Sequence, residues 1–269
     1  ERGMIRPDVA MIHLPNGIEQ FLIRLACEKA GVRVALTSTW FRESELLSII
    51  EQTRPRIAFI SANQARTGAY DRLREMIGTR EIDVKFVSVG DGPGVSWADS
   101  WDDFYKGSPT RPADGLLDRT RFRFDERFYL ATTSGSTSAP KITDVIFGNR
   151  IRLSLMHAAG VKLGIGGTIA ALPPITSGTS DTLVHHAAPY FAAKTVLETR
   201  FDAVPTTVFL VAEDVQIATV VPTMLARMVA TGAIDNLHDA PLNCFAVYAS
   251  ALSYDLAMAI EERGRCETV

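Results

Sequence analysis

The chain has 269 residues, 46% hydrophobic and 22% charged, the composition of an ordinary globular protein able to bury a substantial core. Its 28 Lys and Arg stand against 31 Asp and Glu, a net charge of −3, which argues against a nucleic-acid binder, whose surface normally carries a basic stripe. Three scattered cysteines, Cys27, Cys244 and Cys266, form neither a disulfide framework nor a zinc pattern, and no apolar run is long enough to span a bilayer, so a reducing cytoplasm is the expected compartment.

In chain order, residues 9–13 read as a buried strand and 16–30 as a helix, with Phe21, Leu22, Leu25 and Ala26 on its apolar face and Gly31 as its stop. Residues 32–36 form the next strand, 44–52 a second amphipathic helix and 56–61 a third strand. A helix over 70–77 and a strand over 84–89 follow. This is the alternation of parallel β-α-β units. Residues 90–125 break it: Gly, Pro, Trp, Ser and Asp recur without period, which predicts a long surface connection with one short helix over 101–106. A strand over 128–132 restarts the pattern. It continues with a helix over 149–163, a strand over 168–172 ending at Pro173-Pro174, and a helical segment over 182–191. Strands over 195–198 and 217–220 come next, then a helix opened by Pro222 and running to Ala230, a strand over 245–248 and a helix over 254–263. The expected fold is α/β, with layered, mostly parallel sheets and helices on both faces.

The most informative stretch is Thr132-Thr133-Ser134-Gly135-Ser136-Thr137-Ser138-Ala139-Pro140-Lys141, directly after an apolar strand. Seven of its ten residues are Ser, Thr or Gly. Hydroxyls and exposed backbone N–H groups on a tight loop can wrap phosphate oxygens, Gly135 lets the backbone come close, and Lys141 supplies a compact positive charge. A Walker A loop is excluded, because no Gly directly precedes the lysine and no Ser or Thr follows it. A polar surface loop ending in a solvated lysine has the same composition.

The run from Thr133 to Lys141 resembles the phosphate-loop signature of the adenylate-forming superfamily, Ser/Thr-Gly-Ser/Thr-Thr-x-x-Pro-Lys, with Ser138 where Gly is usual. That superfamily holds acyl- and aryl-CoA ligases, nonribosomal-peptide adenylation domains and firefly-type luciferases. Other segments resemble it in the same order: Pro15-Asn16-Gly17-Ile18-Glu19 and Leu25-Ala26-Cys27-Glu28-Lys29-Ala30-Gly31 the early helix, and Arg42-Glu43-Ser44-Glu45-Leu46 the segment after the next strand. Arg200-Phe201-Asp202, Val221-Pro222-Thr223-Met224-Leu225 and Ala251-Leu252-Ser253 resemble later landmarks, the last near the adenine. The resemblance implies activation of a carboxylic acid by ATP and Mg²⁺ as its acyl-AMP and transfer to a thiol, CoA or a carrier protein. The alternatives are a carrier-protein-loading adenylation domain and an adenylate-binding homologue that has lost one half-reaction.

By the same resemblance, the nucleotide-binding residues are Thr133, Ser134, Gly135, Ser136, Thr137, Ser138 and Lys141, and the acid-binding residues are Thr176, Ser177, Tyr248, Ala249, Ser250 and Ala251. The family's Tyr-Gly-x-Thr-Glu motif, ribose-binding aspartate and catalytic-lysine domain are expected beyond Val269, so the chain, which opens on Glu1, is read as part of a large N-terminal domain that turns over no acid alone. Two departures touch the acid site. Thr176 or a neighbour stands where an aromatic-His pair is common, and Tyr248-Ala249 match a usual Gly pair. Together they imply a pocket reshaped for a bulky or polar acid, unless Tyr248 packs into the core. His185-His186 are read as surface or packing residues, with no metal site predicted. Gly164-Ile165-Gly166-Gly167 reads as a turn, Cys27 as core, and Asp99, Asp102 and Asp103 as a solvated acidic cluster.

Overall fold

Strands buried on both faces read as unbroken apolar runs, and β1 (Val9–His13, sequence VAMIH) and β3 (Ile57–Ser61, IAFIS) are buried along their whole length. They stand at the centre of the first of two sheets in the structure, a computed structural model describing residues 8–107, 115–133 and 140–269. The chain divides into two compact units, Glu1–Asn149 and Arg150–Val269.

In the first unit β1 is followed by α1 (Ile18–Lys29), β2 (Arg33–Leu36), α2 (Glu43–Thr53), β3, α3 (Ala69–Gly78) and β4 (Lys85–Val89). Then come β5 (Asp99–Ser100), α4 (Trp101–Lys106), α5 (Leu116–Thr120), β6 (Arg127–Thr133) and β7 (Lys141–Ile146). The sheet order is β5-β4-β3-β1-β2-β6-β7, parallel throughout except for the antiparallel β6–β7 pair. Alternate residues of each strand feed opposite faces. Met11, Ala35, Ala58 and Ile60 join α2 and α3 through Leu46, Ile50, Leu73 and Ile77. Ala10, Ile12, Val34, Leu36 and Phe59 join Ile23 of α1, Trp101 and Phe104 of α4, and Phe128. The sheet thus carries helices on both faces, as its β-α alternation predicts.

The helix α6 (Phe147–Gly160) opens at the end of the first unit and continues into the second. There follow β8 (Thr168–Ala171), the short turn α7 (Gly178–Ser180), a π-helical segment Asp181–Ala187 and a 3₁₀ turn Ala188–Phe191. The remainder is β9 (Lys194–Leu197), α8 (Ala203–Ala212), β10 (Ile217–Val220), α9 (Pro222–Thr231), a 3₁₀ turn Ala233–Leu237, β11 (Cys244–Val247), α10 (Tyr254–Gly264) and β12 (Glu267–Thr268). The order β12-β11-β10-β8-β9 is parallel throughout. One face, with Ala170, Val196, Ala218, Val220 and Phe245, packs on α8, α9 and α10. On the other face Thr219 meets Ser180 at 2.9 Å and Cys244 meets the Val161 carbonyl just past α6.

Several sequence expectations are corrected. The inward face of α1 is Gln20, Ile23 and Arg24, not Phe21, Leu22, Leu25 and Ala26; Leu22 is 54% exposed. Burial of Arg24 is compensated by Glu28 at 3.0 Å and by the Tyr129 ring, whose centroid lies 5.0 Å from the guanidinium. Residues 90–125 hold β5 and α5 in addition to the predicted helix α4. Lys141 begins a strand where a loop end is expected. Residues 182–191 are π-helical and 3₁₀ segments in place of one regular helix. Helix α8 occupies a stretch with no predicted element, burying Ala203, Thr206, Thr207 and Leu210 at the i, i+3, i+4, i+7 spacing of one helical face.

Candidate functional site

In an open parallel sheet, ligands bind outside the carboxyl ends of the strands, at the point where the strand order reverses. The first unit presents its candidate residues at that edge. β6 runs parallel to β2 and hence to β1, so Thr133 ends at the same edge as His13 and Leu36. Lys141 is the register partner of Thr133 across the antiparallel pair. The phosphate-loop segment therefore leaves the sheet and returns to it at one point, with its lysine exposed at the return. Lys141 makes no ion pair with any described residue. The predicted loop residues Ser134, Gly135, Ser136, Thr137 and Ser138 lie outside the described residues. The flanks are fixed: Thr132 Oγ1 donates to the Leu36 carbonyl at 3.0 Å, and Gln52 Nε2 of α2 donates to the carbonyl of buried Pro140 at 3.3 Å.

Beside it, at the ends of β1 and β3, is a buried polar network. His13 Nδ1 lies 3.0 Å from Thr37 Oγ1, which itself donates to the Ile12 carbonyl at 2.8 Å. The Thr37 hydroxyl has one proton and it goes to Ile12, so His13 Nδ1 is the donor and the ring is the Nδ1–H tautomer. Burial pushes the His13 pKa down to about 4, partly opposed by a hydrogen bond with Gln64. The Tyr70 ring stands edge-on to His13, and its hydroxyl donates to Gln64 Oε1 at 3.1 Å.

In the second unit the chain passes from β8 to β9 on one side and returns past β8 to β10, so the reversal falls between β8 and β10. The crossovers agree: the segment after β8 covers the Thr219 face, and α8 to α10 cover the other. The loop after β8 carries Thr176 and Ser177, both half-buried, and Ser177 Oγ donates to the Pro174 carbonyl at 2.6 Å. The loop after β11, one strand beyond β10, carries Tyr248, Ala249, Ser250 and Ala251. Topology thus gathers all six predicted acid-binding residues at one edge of one sheet. Ala249 has φ 73°, a left-handed conformation costly for a residue with a Cβ. Ser250 and Ala251 are exposed.

Tyr248 does not point out of the loop. Its N–H donates to the Val220 carbonyl at 3.1 Å, and its ring lies half-buried on α6, with the hydroxyl 3.1 Å from His157 Nδ1. Burial pushes the phenol up to about 12, with Cys244 adding, and pushes His157 down, with Arg150 adding. The sequence reading did not single out His157. The available signal was the helical spacing of Arg150, Ser154 and His157, which puts three polar side chains on one face of α6; Ser154 is fully buried. Further along that face, Arg150 Nη1 donates to Thr182 Oγ1 at 2.7 Å and Nε lies 3.4 Å from buried Asp181.

The remaining candidates take structural places. His185 and His186 are buried, so they pack and do not lie on the surface; His186 Nε2 is 3.4 Å from Asp181. Burial holds the Cys27 thiol up at about 12, against the second core of the first sheet. Asp99 pairs with Lys85, Asp102 with Lys106, and the Asp103 N–H is capped by Ser100. The Gly164 to Gly167 stretch is a turn, closed by Gly167 N–H on the Gly164 carbonyl at 3.1 Å.

Two successive, mostly parallel sheets, the first ending in a Ser/Thr/Gly-rich connection that closes on a lysine, agree with the α/β fold that the resemblance to adenylate-forming enzymes implies. The family model described as "AMP-binding enzyme" matches residues 1–269, and the chain belongs to that family. Among solved structures it resembles the anthranilate CoA ligase AuaEII in complex with anthranoyl-AMP, with TM-score 0.83 and 18% identity over 99% of this chain and 50% of that one. It is also similar to the N-terminal domain of FACL13 from Mycobacterium tuberculosis, with TM-score 0.79 and 16% identity over 99% and 63%. For the luciferase-like enzyme of the mealworm Zophobas morio the values are 0.78 and 11% over 99% and 59%. The chain thus spans between 50% and 63% of these three structures. No curated protein matches it. No helix among the described residues is long and apolar enough to cross a membrane.

Proposed function

We propose that the protein activates a carboxylic acid as its acyl-adenylate at the expense of ATP and passes the acyl group to a thiol, with CoA as the acceptor. The observation that carries this reading is the match of the AMP-binding family along the whole chain. The geometry supports it: Lys141 is exposed and free of ion pairs among the described residues, at the mouth of a hydroxyl-rich connection on the carboxyl edge of a parallel sheet. That environment fits a polyphosphate.

The acid's carboxylate oxygen attacks the α-phosphate of ATP, and pyrophosphate leaves. Lys141 and the hydroxyl and N–H groups of residues 133–138 hold and neutralise the departing phosphates, an electrostatic contribution made where charge develops. Mg²⁺ bound with ATP would add further neutralisation of the phosphates; no residue of this chain is assigned to it. Thr176, Ser177 and the loop Tyr248 to Ala251 receive the acid.

The test is acid-dependent exchange of labelled pyrophosphate into ATP by the full-length protein, followed by acyl transfer to CoA or to a carrier-protein thiol. Exchange with no acyl-CoA formed moves the acceptor to a carrier protein. Binding of an acyl-AMP analogue without exchange leaves an adenylate-binding homologue.

A further inference from the structure

Position 248 lies just past β11, whose alternate residues face α6: Cys244 reaches the Val161 carbonyl, and Tyr248 two pleats later reaches His157. Phe245, of opposite parity, lies in the core under α8 to α10. A residue without a side chain at 248 would leave open space between this strand end and α6. Here the Tyr248 ring fills it, its centroid 5.6 Å from that of His157 and the planes tilted by 34°. The hydroxyl–imidazole hydrogen bond fixes the ring, so its position depends on α6 as well as on its own loop. The backbone of the same residue is tied to Val220, at the end of one of the two strands that flank the reversal of strand order.

We infer that Tyr248 is the closed inner wall of the acid subsite on its α6 side and that His157 is a positioning residue holding that wall, which restricts the substrate to short or single-ring carboxylic acids. The inference rests on the adenylation reading. It replaces the sequence expectation of a bulky or polar acid, because the ring at 248 lies inside the fold, between the strand end and α6, and so takes room from the space beside the loop. Burial keeps the phenol protonated and the imidazole neutral near pH 7, so neither partner carries a charge that would draw water into the wall.

The experiment is pyrophosphate exchange by the full-length protein with acetate, hexanoate, decanoate and benzoate. The wild type is expected to discriminate against decanoate. Tyr248→Gly is expected to raise the decanoate-to-acetate ratio of kcat/KM at least tenfold, since even one methylene in a fitted pocket changes such ratios by about 10–200-fold. His157→Leu moves the ratio in the same direction, and His157→Asn, which keeps a hydrogen-bonding group at that position, returns it toward wild type. A residue that only supports folding would lower kcat/KM for all four acids alike. Wild-type preference for decanoate overturns the inference without any variant. An unchanged ratio in a Tyr248→Gly protein that still exchanges overturns it too. If no acid supports exchange and no acyl-sulfamoyl adenosine binds, the adenylation reading itself fails, and this inference with it.

Discussion

Acidification is expected to weaken the first unit through one residue, His13. The ring is almost fully buried, and the Thr37 hydroxyl holds it as the Nδ1–H tautomer. A second proton must enter at Nε2, inside the protein, and burial lowers the folded pKa to about 4 from an ordinary 6.5. The unfolded chain therefore binds one more proton than the folded chain between those values. The His13 contribution to stability is full above pH 6.5, falls as pH drops toward 4 and levels off below. At about 1.4 kcal/mol per pKa unit, the loss totals about 3 kcal/mol, a large share of a typical domain's stability. Carboxylates and His157 titrate in overlapping ranges, so the assay is a comparison: urea unfolding at pH 7, 5.5 and 4.5 for wild type and His13→Asn. The amide introduced by that substitution can donate to Thr37 but does not titrate. The wild type is expected to lose about 2–3 kcal/mol more than the variant across that span. Parallel pH profiles would show that His13 either protonates freely in place or is not buried, and the reasoning from the Thr37 hydrogen bond would fall.

Three further outcomes follow from the geometry. Ala249→Gly is expected to raise stability by about 1 kcal/mol, since it removes a Cβ held at φ 73°; a lower melting temperature would show that the methyl group is packed against something. Gly92→Ala places a Cβ 2.5 Å from the Ala62 carbonyl carbon and 2.6 Å from Asn63 N, both backbone atoms that cannot swing away, so about 1–3 kcal/mol should be lost in thermal unfolding. Wild-type stability in that variant would contradict the close approach of Gly92 to the Ala62–Asn63 backbone. Lys141→Ala is expected to lower pyrophosphate exchange or nucleotide affinity at least about tenfold, the worth of one charged hydrogen bond; unchanged exchange and unchanged affinity would remove Lys141 from the site.

The strands were legible because parallel strands covered on both faces leave continuous apolar runs, as in β1 and β3, and the helices between them because Gly, Pro and the apolar spacing mark their ends. What escaped has identifiable causes. Helix α8 reads AVPTTVFLVA, rich in β-branched residues, with Thr206 and Thr207 on its buried face and Val204, Val208 and Val211 exposed, so neither propensity nor polarity marks its period. The face of α1 was misassigned because a buried arginine breaks the rule of apolar residues inside, and the compensating Glu28 and Tyr129 are visible only in three dimensions. Strand β7 escapes notice in the sequence because its first residue, Lys141, is also the last residue of the loop motif. At the candidate site, the phosphate-loop ends and both acid-side loops could be placed from sequence, since each follows a predicted strand. The His157–Tyr248 contact joins residues 91 apart and leaves no trace in local pattern.

The Tyr248–Ala249 pair separates two things that a sequence comparison runs together, the side chains of a loop and its backbone path. Resemblance puts glycines at both positions, and their replacement by larger residues reads in sequence as a change in the acid pocket. In the structure Ala249 adopts the left-handed conformation that glycine takes freely, at a cost of roughly 1–2 kcal/mol. Strain of that size persists only where the surroundings over-determine it. Here Tyr248 is bound on both sides of the strand end, by its N–H to Val220 and by its hydroxyl to His157. The substitution that adds a ring thus also supplies the anchor that holds the next residue in place. The left-handed turn past β11 is thus held while the space between the strand end and α6 is filled, two effects of one side chain that the Tyr248→Gly and Ala249→Gly variants separate.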